Sequence, residues 1–223
     1  MLDRDAAGMV LRIMTSSSAM ETERVPRRQK SFNLPNILTY GRIAAVPALV
    51  VLLFWPEEFW IRWAALGVYS AAAVTDFFDG YLARAWSQQS AIGRMLDPIA
   101  DKLLVAGCLV MLVADGTIHS YSIWAAIVIL SREILVSGLR EFLAELRVSV
   151  PVSTLAKWKT TVQLIALGFL VVGKAGDVLL STGVTVGIGI GLLWVAAILT
   201  FVTGWDYLKS GIRHLIDEDE KVK

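Results

Sequence analysis

The chain has 223 residues, of which 56% are hydrophobic and only 18% charged, and its mean hydropathy is +0.61. Soluble domains are about 45–50% apolar and about 25% charged, so this composition excludes an ordinary soluble domain and points to a membrane protein. The net charge of +1 is close to neutral, and the single cysteine, Cys108, excludes an intrachain disulfide.

Six apolar stretches follow one another, at about 36–55, 61–83, 94–114, 120–142, 156–174 and 182–207. Each approaches the roughly 20 residues that a bilayer crossing needs. None alternates with period two, so helices rather than barrel strands are expected, since only these two structures satisfy the backbone in lipid. The expected fold class is all-α, a polytopic membrane protein with six transmembrane helices. Residues 1–31 are mixed in charge and read as a mobile cytoplasmic tail without a signal peptide. Residues 32–210 read as one catalytic membrane domain, and 211–223 as a charged C-terminal tail whose end, Asp217–Lys223, reads as mobile.

In chain order, Asn33, Leu34, Pro35 and Asn36 make a helix-start signal ahead of the first apolar run. Trp55, Trp60 and Trp63 flank the first outer loop, where interfacial aromatics belong. The second helix carries Asp76 and Asp79 in its last turns, and the third carries Gly93, Asp97 and Asp101 in its first turns. Cys108 falls inside the third apolar run and reads as a buried thiol. Gly183, Gly187 and Gly191 make a small-residue stripe on the last helix, expected to pack within the subunit, with a dimer seam as the alternative. Lys and Arg concentrate in 1–30, 84–94, 140–159 and the C-terminal tail, while the alternate loops hold only Arg62 and Lys174. By the positive-inside rule both termini face the cytoplasm, and the acids lie at the cytoplasmic ends of their helices.

Asp76 and Asp79 are three apart, and Asp97 and Asp101 four apart, so each pair shares one helical face. An ionised carboxylate inside a bilayer costs about 2.5–3.5 kcal/mol on insertion scales, so four together require a counter-charge. Carboxylate oxygens are the ligands hard divalent cations prefer, which makes metal the expected compensation. Gly80 and Gly93 lack a Cβ and let a ligand or backbone come close. Ala83 keeps the face narrow, and Arg84 adds a cation whose fork matches a phosphate. The combination describes a site for metal and phosphate together.

The run D-x-x-D-G-x-x-A-R-(x8)-G-x-x-x-D-x-x-x-D, from Asp76 to Asp101, resembles the signature of the CDP-alcohol phosphotransferases. The resemblance extends over about residues 32–210. Within it, N-L-P-N-I-L-T-Y-G-R-I (33–43), S-R-E-I-L-V-S-G-L-R-E-F (131–142) and L-A-K-W-K-T-T (155–161) look like the bacterial members that use glycerol 3-phosphate. It implies the fold of that family, in an enzyme of the cytoplasmic (inner) membrane. Such an enzyme moves a phosphatidyl group from CDP-diacylglycerol to sn-glycerol 3-phosphate and releases CMP. Two ions, Mg²⁺ or Mn²⁺, would be held by Asp76, Asp79, Asp97 and Asp101, and Asp101 would be the general base. Asn36, Thr39, Gly80, Ala83, Arg84 and Gly93 would form the CDP-lipid site. A homodimer in the lipid bilayer is expected, and no nucleic acid is expected as a partner.

An acceptor carrying its own phosphate needs fixed cations. Arg42, Arg132, Arg140, Lys157 and Lys159 lie within or at the ends of apolar stretches and are the candidates for it. Arg132 could instead pair with Glu133 or Glu141, or snorkel. Two other readings stay open: the same family with another acceptor, such as inositol phosphate, and, remotely, a divalent-cation transporter.

Overall fold

The computed structural model describes residues 34–86, 91–146 and 154–221. The expected N-terminal tail lies outside the described residues, as do parts of the two basic connections. Within the unit Asn33–Lys223 six α-helices follow in order. These are α1 (Leu34–Leu53), α2 (Phe59–Trp86), α3 (Ala91–Ala114), α4 (Ser122–Glu145), α5 (Thr154–Val172) and α6 (Val184–Lys221), with a short 3₁₀ turn, Gly173–Val178, between the last two. No strand occurs among the described residues.

Helix α1 packs against both α2 and α3, α5 packs along α6, and α4 lies on α6. Contacts of α2 and α3 with α5 join the two groups. The shared core is aliphatic and includes Leu49, Leu53, Leu109, Leu112, Ile129, Leu167, Leu170 and Leu193, all essentially inaccessible, together with Cys108. Large apolar side chains also cover the outside: Trp60, Trp124, Leu135, Phe201 and Trp205 are all more than half exposed. A helix apolar on all sides belongs in lipid rather than water. Three segments, Ser122–Glu145, Lys157–Val178 and Val184–Lys209, are long and apolar enough to cross a membrane, and α1 contributes the shorter apolar run Ile37–Leu53. The chain is therefore an all-α membrane protein. Helices α2 and α3, which carry the acids, fall outside this set of long apolar segments.

At the end of the bundle away from the acids, Arg62 ties three helices together. It is 5% exposed, and its Nη2 stands 2.5 Å from Asp115 Oδ2. Nη1 donates to the Val171 carbonyl and Nε to the Pro56 carbonyl, each at 3.2 Å. The sequence suggested an exposed loop cation; folding buries it because the end of α3 and the end of α5 both present oxygen there. Gly173 closes over this guanidinium with φ +54, a conformation that disfavours a side chain. Asp177 then accepts from the backbone N–H of Gly183 (2.8 Å) and of Thr185 (3.2 Å), which satisfies donors at the start of α6.

Helix α6 runs on to Lys221. One expectation is corrected here. The Gly183, Gly187 and Gly191 stripe does not make the close packing of the last helix. A Cβ added at Gly187 or Gly191 meets nothing within 4 Å, and Gly183 serves a turn at φ +79. The close approach belongs to Gly189, where a Cβ would come 2.8 Å from Leu170.

Candidate active site

Helix α1 supplies the first polar partners of the acids. Thr39 and Arg42 are three residues apart, so one face of α1 presents both, and that face meets α2 and α3. Thr39 Oγ1 donates to Asp97 Oδ1 at 2.6 Å, and Arg42 Nη1 stands 2.6 Å from Asp76 Oδ1. Thr39 and the Arg42 side chain are 1% exposed, whereas the Asp76 side chain is 48% exposed. Arg42 thus compensates Asp76 directly. The charge balance read from sequence lacked this cation.

Asp101 sits one turn after Asp97 on α3, part-buried, beside a cavity of about 30 Å³ that Lys102, Glu133, Lys159 and Gln163 also line. It lies within electrostatic reach of Asp76 and Glu133 and of the cations Lys102 and Arg42. Lys102 Nζ donates back to the Pro98 carbonyl at 3.1 Å. Gly93 is buried. Asn36, Asp79, Gly80, Ala83 and Arg84 belong to α1 and α2 by their backbone; their side chains lie outside the described residues. Among the described residues no three His, Cys, Asp or Glu side chains gather around one metal position. The donor set available at Asp76, Asp97 and Asp101 is nevertheless all carboxylate oxygen, which suits a hard divalent cation.

The acceptor candidates divide. Lys159, 4% exposed on α5, donates from Nζ to Glu133 Oε1 of α4 in a short contact. Arg132 Nη1 stands 3.6 Å from the same oxygen, so Glu133 is shared by two cations. Arg132 is threaded past Gly204 of α6, where a Cβ would come 2.8 Å from its Cγ, and its Nε has no partner among the described residues. Arg140 instead lies over the Tyr207 ring, 5.8 Å from the centroid, and Lys157 is exposed. Arg42 therefore meets the acids directly, Lys159 and Arg132 reach them through Glu133, and Arg140 and Lys157 make other contacts or face outward.

Three contributors escaped the sequence reading: Glu133 as the partner of Lys159, Gln163, and Gly204. Gln163 had a signal, because it follows Lys159 by four residues on an apolar helix. Glu133 had been noticed only as a neighbour of Arg132. Nothing local marks Gly204, whose role depends on which helix packs against it.

Comparison with known proteins places the chain. The CDP-alcohol phosphatidyltransferase family model matches residues 32–202. A protein of Rickettsia bellii is 46% identical over 178 residues, covering 80% of this chain and 94% of its own length. One from Cereibacter sphaeroides is 40% identical over 219 residues, covering 84% and 99%. One from Shigella flexneri is 40% identical over 193 residues, also covering 84% and 99%. All three are named CDP-diacylglycerol–glycerol-3-phosphate 3-phosphatidyltransferase. With the spaced acids on α2 and α3 held by α1, this chain belongs to the CDP-alcohol phosphatidyltransferase family.

Proposed function

We propose that this chain transfers the phosphatidyl group from CDP-diacylglycerol to sn-glycerol 3-phosphate, giving phosphatidylglycerophosphate and CMP. One observation carries the reading: the acids of α2 and α3 are engaged by Arg42 and Thr39 of α1, beside a pocket holding Asp101, Glu133 and Lys159. The names of the relatives support the choice of donor and acceptor.

In the reaction the acceptor's primary hydroxyl oxygen bonds to the phosphatidyl phosphorus. The phosphorus–oxygen bond to CMP breaks, and Asp101 takes the hydroxyl proton. Asp76, Asp79, Asp97 and Asp101 would hold two divalent ions, Mg²⁺ or Mn²⁺. Ions held there would stabilise the charge on the attacking and leaving oxygens. Arg42 orients Asp76, and Thr39 fixes Asp97 through one carboxylate oxygen. Asn36, Thr39, Gly80, Ala83, Arg84 and Gly93 would form the CDP-lipid site, with Arg84 on phosphate. Arg132 and Lys159, with Lys157 and Arg140 at the entrance, would attract the phosphate of the acceptor.

Residues 32–210 form the catalytic domain in this reading, with six crossings of the cytoplasmic membrane, both termini in the cytoplasm, and a homodimeric assembly. The Lys and Arg asymmetry of the loops supports the orientation. The test is a panel of acceptors presented with CDP-diacylglycerol to the purified protein, following CMP release. Glycerol 3-phosphate should be the acceptor used. Preference for inositol phosphate or a neutral alcohol would overturn the acceptor assignment and leave the family intact.

A further inference from the structure

Glu133 is the anion on which cations of two helices meet. Its Oε1 accepts from Lys159 Nζ of α5, and Arg132 Nη1 of its own helix stands 3.6 Å from the same oxygen. The side chains of Glu133, Lys159 and Arg132 are 17%, 5% and 15% exposed, so all three charges lie mostly out of water. Glu133 and Lys159 also line the cavity of about 30 Å³ that Asp101 borders.

The pair is not a staple between packed helices. Among the described residues α4 and α5 each pack on α6 and approach α3, and they do not pack closely on one another. Their positions are set by those other contacts, and the two long side chains meet across the space between them. What the contact does fix is the lysine. An ammonium is a compact charge on a flexible four-carbon stem, with much rotamer freedom to lose when it is held in one place. It has three N–H donors, so it can hold Glu133 with one and still meet a phosphate with another. Arg132 and Lys159 are like charges, and without a shared anion each would lie poorly compensated in a setting that water barely reaches.

We propose that Glu133 is a positioning residue for the acceptor: its Oε1 holds the Lys159 ammonium in place for the acceptor's phosphate and offsets the repulsion between Lys159 and Arg132. This rests on the reading of Lys159 as a cation for that phosphate, and adds the anion that aims it. Glu133 itself touches no reacting group in this account. Arg132, at the longer distance, depends on it less.

The experiment measures KM for glycerol 3-phosphate and for CDP-diacylglycerol in the full-length enzyme with Mg²⁺. The variants are Glu133→Gln, Glu133→Asp, Lys159→Met and the double variant Glu133→Gln/Lys159→Met. A loss of folded enzyme leaves KM unchanged, so the comparison reads the site. Glu133→Gln, close to isosteric, should raise KM for glycerol 3-phosphate about tenfold, the scale of one lost charge-assisted contact, and leave KM for CDP-diacylglycerol within about twofold. Glu133→Asp keeps the charge and should recover most of that loss. In the Lys159→Met background no ammonium remains to be aimed, so Glu133→Gln should change KM for glycerol 3-phosphate by about threefold or less, the part that acts through Arg132. An unchanged KM in Glu133→Gln, an equal effect in both backgrounds, or a parallel rise for both substrates overturns the inference and leaves Glu133 as a structural anion. A Lys159→Met enzyme with the wild-type KM for glycerol 3-phosphate overturns the reading of Lys159 beneath it.

Discussion

Arg42 and Asp76 form an asymmetric ion pair: the guanidinium is 1% exposed, its carboxylate partner 48%, and 2.6 Å separates them. The cation is the member that depends on the pair, since the carboxylate can turn to water or a ligand. The pair therefore links the stability of the fold to the occupancy of the site.

The asymmetry predicts which single change harms the fold more. A charge shut off from water loses more when a partner is removed than a charge that water can reach. Asp76→Asn takes one partner from the buried guanidinium and should lower thermal stability. Arg42→Gln leaves a half-exposed carboxylate and should cost less stability while reducing turnover at least tenfold. Melting curves and kcat of both variants in one detergent check this. A larger stability loss for Arg42→Gln would contradict it.

Arg62 and Asp115 offer the contrasting case, far from the acids and buried on both sides at 6% and 3% side-chain exposure. Arg62→Met should destabilise by about 3–5 kcal/mol. Turnover per folded molecule should stay near that of wild type, since neither residue belongs to the site. Active-site titration together with melting curves separates the two effects.

Gly204 should act on the acceptor through Arg132. A Cβ at this position comes 2.8 Å from Arg132 Cγ, an atom close to the backbone that cannot swing clear. Overpacking of this kind typically costs about 1–3 kcal/mol. Gly204→Ala should raise KM for glycerol 3-phosphate several-fold and leave KM for CDP-diacylglycerol unchanged. Arg132→Ala should do the same more strongly, by about ten- to a hundredfold for one lost charge-assisted contact.

Much of this was legible in the sequence for a physical reason. The apolar stretches and the acids are local features, each decided within a turn or two, and the six helices fall within a few residues of the expected stretches, apart from the C-terminal extension of α6. The i, i+3 spacing of Asp76 and Asp79 and the i, i+4 spacing of Asp97 and Asp101 are such local features. What did not read was the choice of partner. Lipid-facing helices are apolar all round, so they carry no polar stripe to reveal their rotation. Lys159 with Glu133, Arg42 with Asp76, and Gly189 in place of Gly187 all depend on rotation and packing between helices. The same limit hid Gln163, whose environment exists only once α3, α4 and α5 have met.

The most direct measurement follows labelled glycerol 3-phosphate into lipid by the purified full-length protein in detergent with CDP-diacylglycerol. With Mg²⁺ or Mn²⁺ present, label should enter phosphatidylglycerophosphate with one CMP released per lipid formed; EDTA should abolish both, and restored metal should return both together. CMP release without labelled lipid, or undiminished transfer after thorough chelation, would contradict metal-dependent phosphatidyl transfer at the acids of α2 and α3.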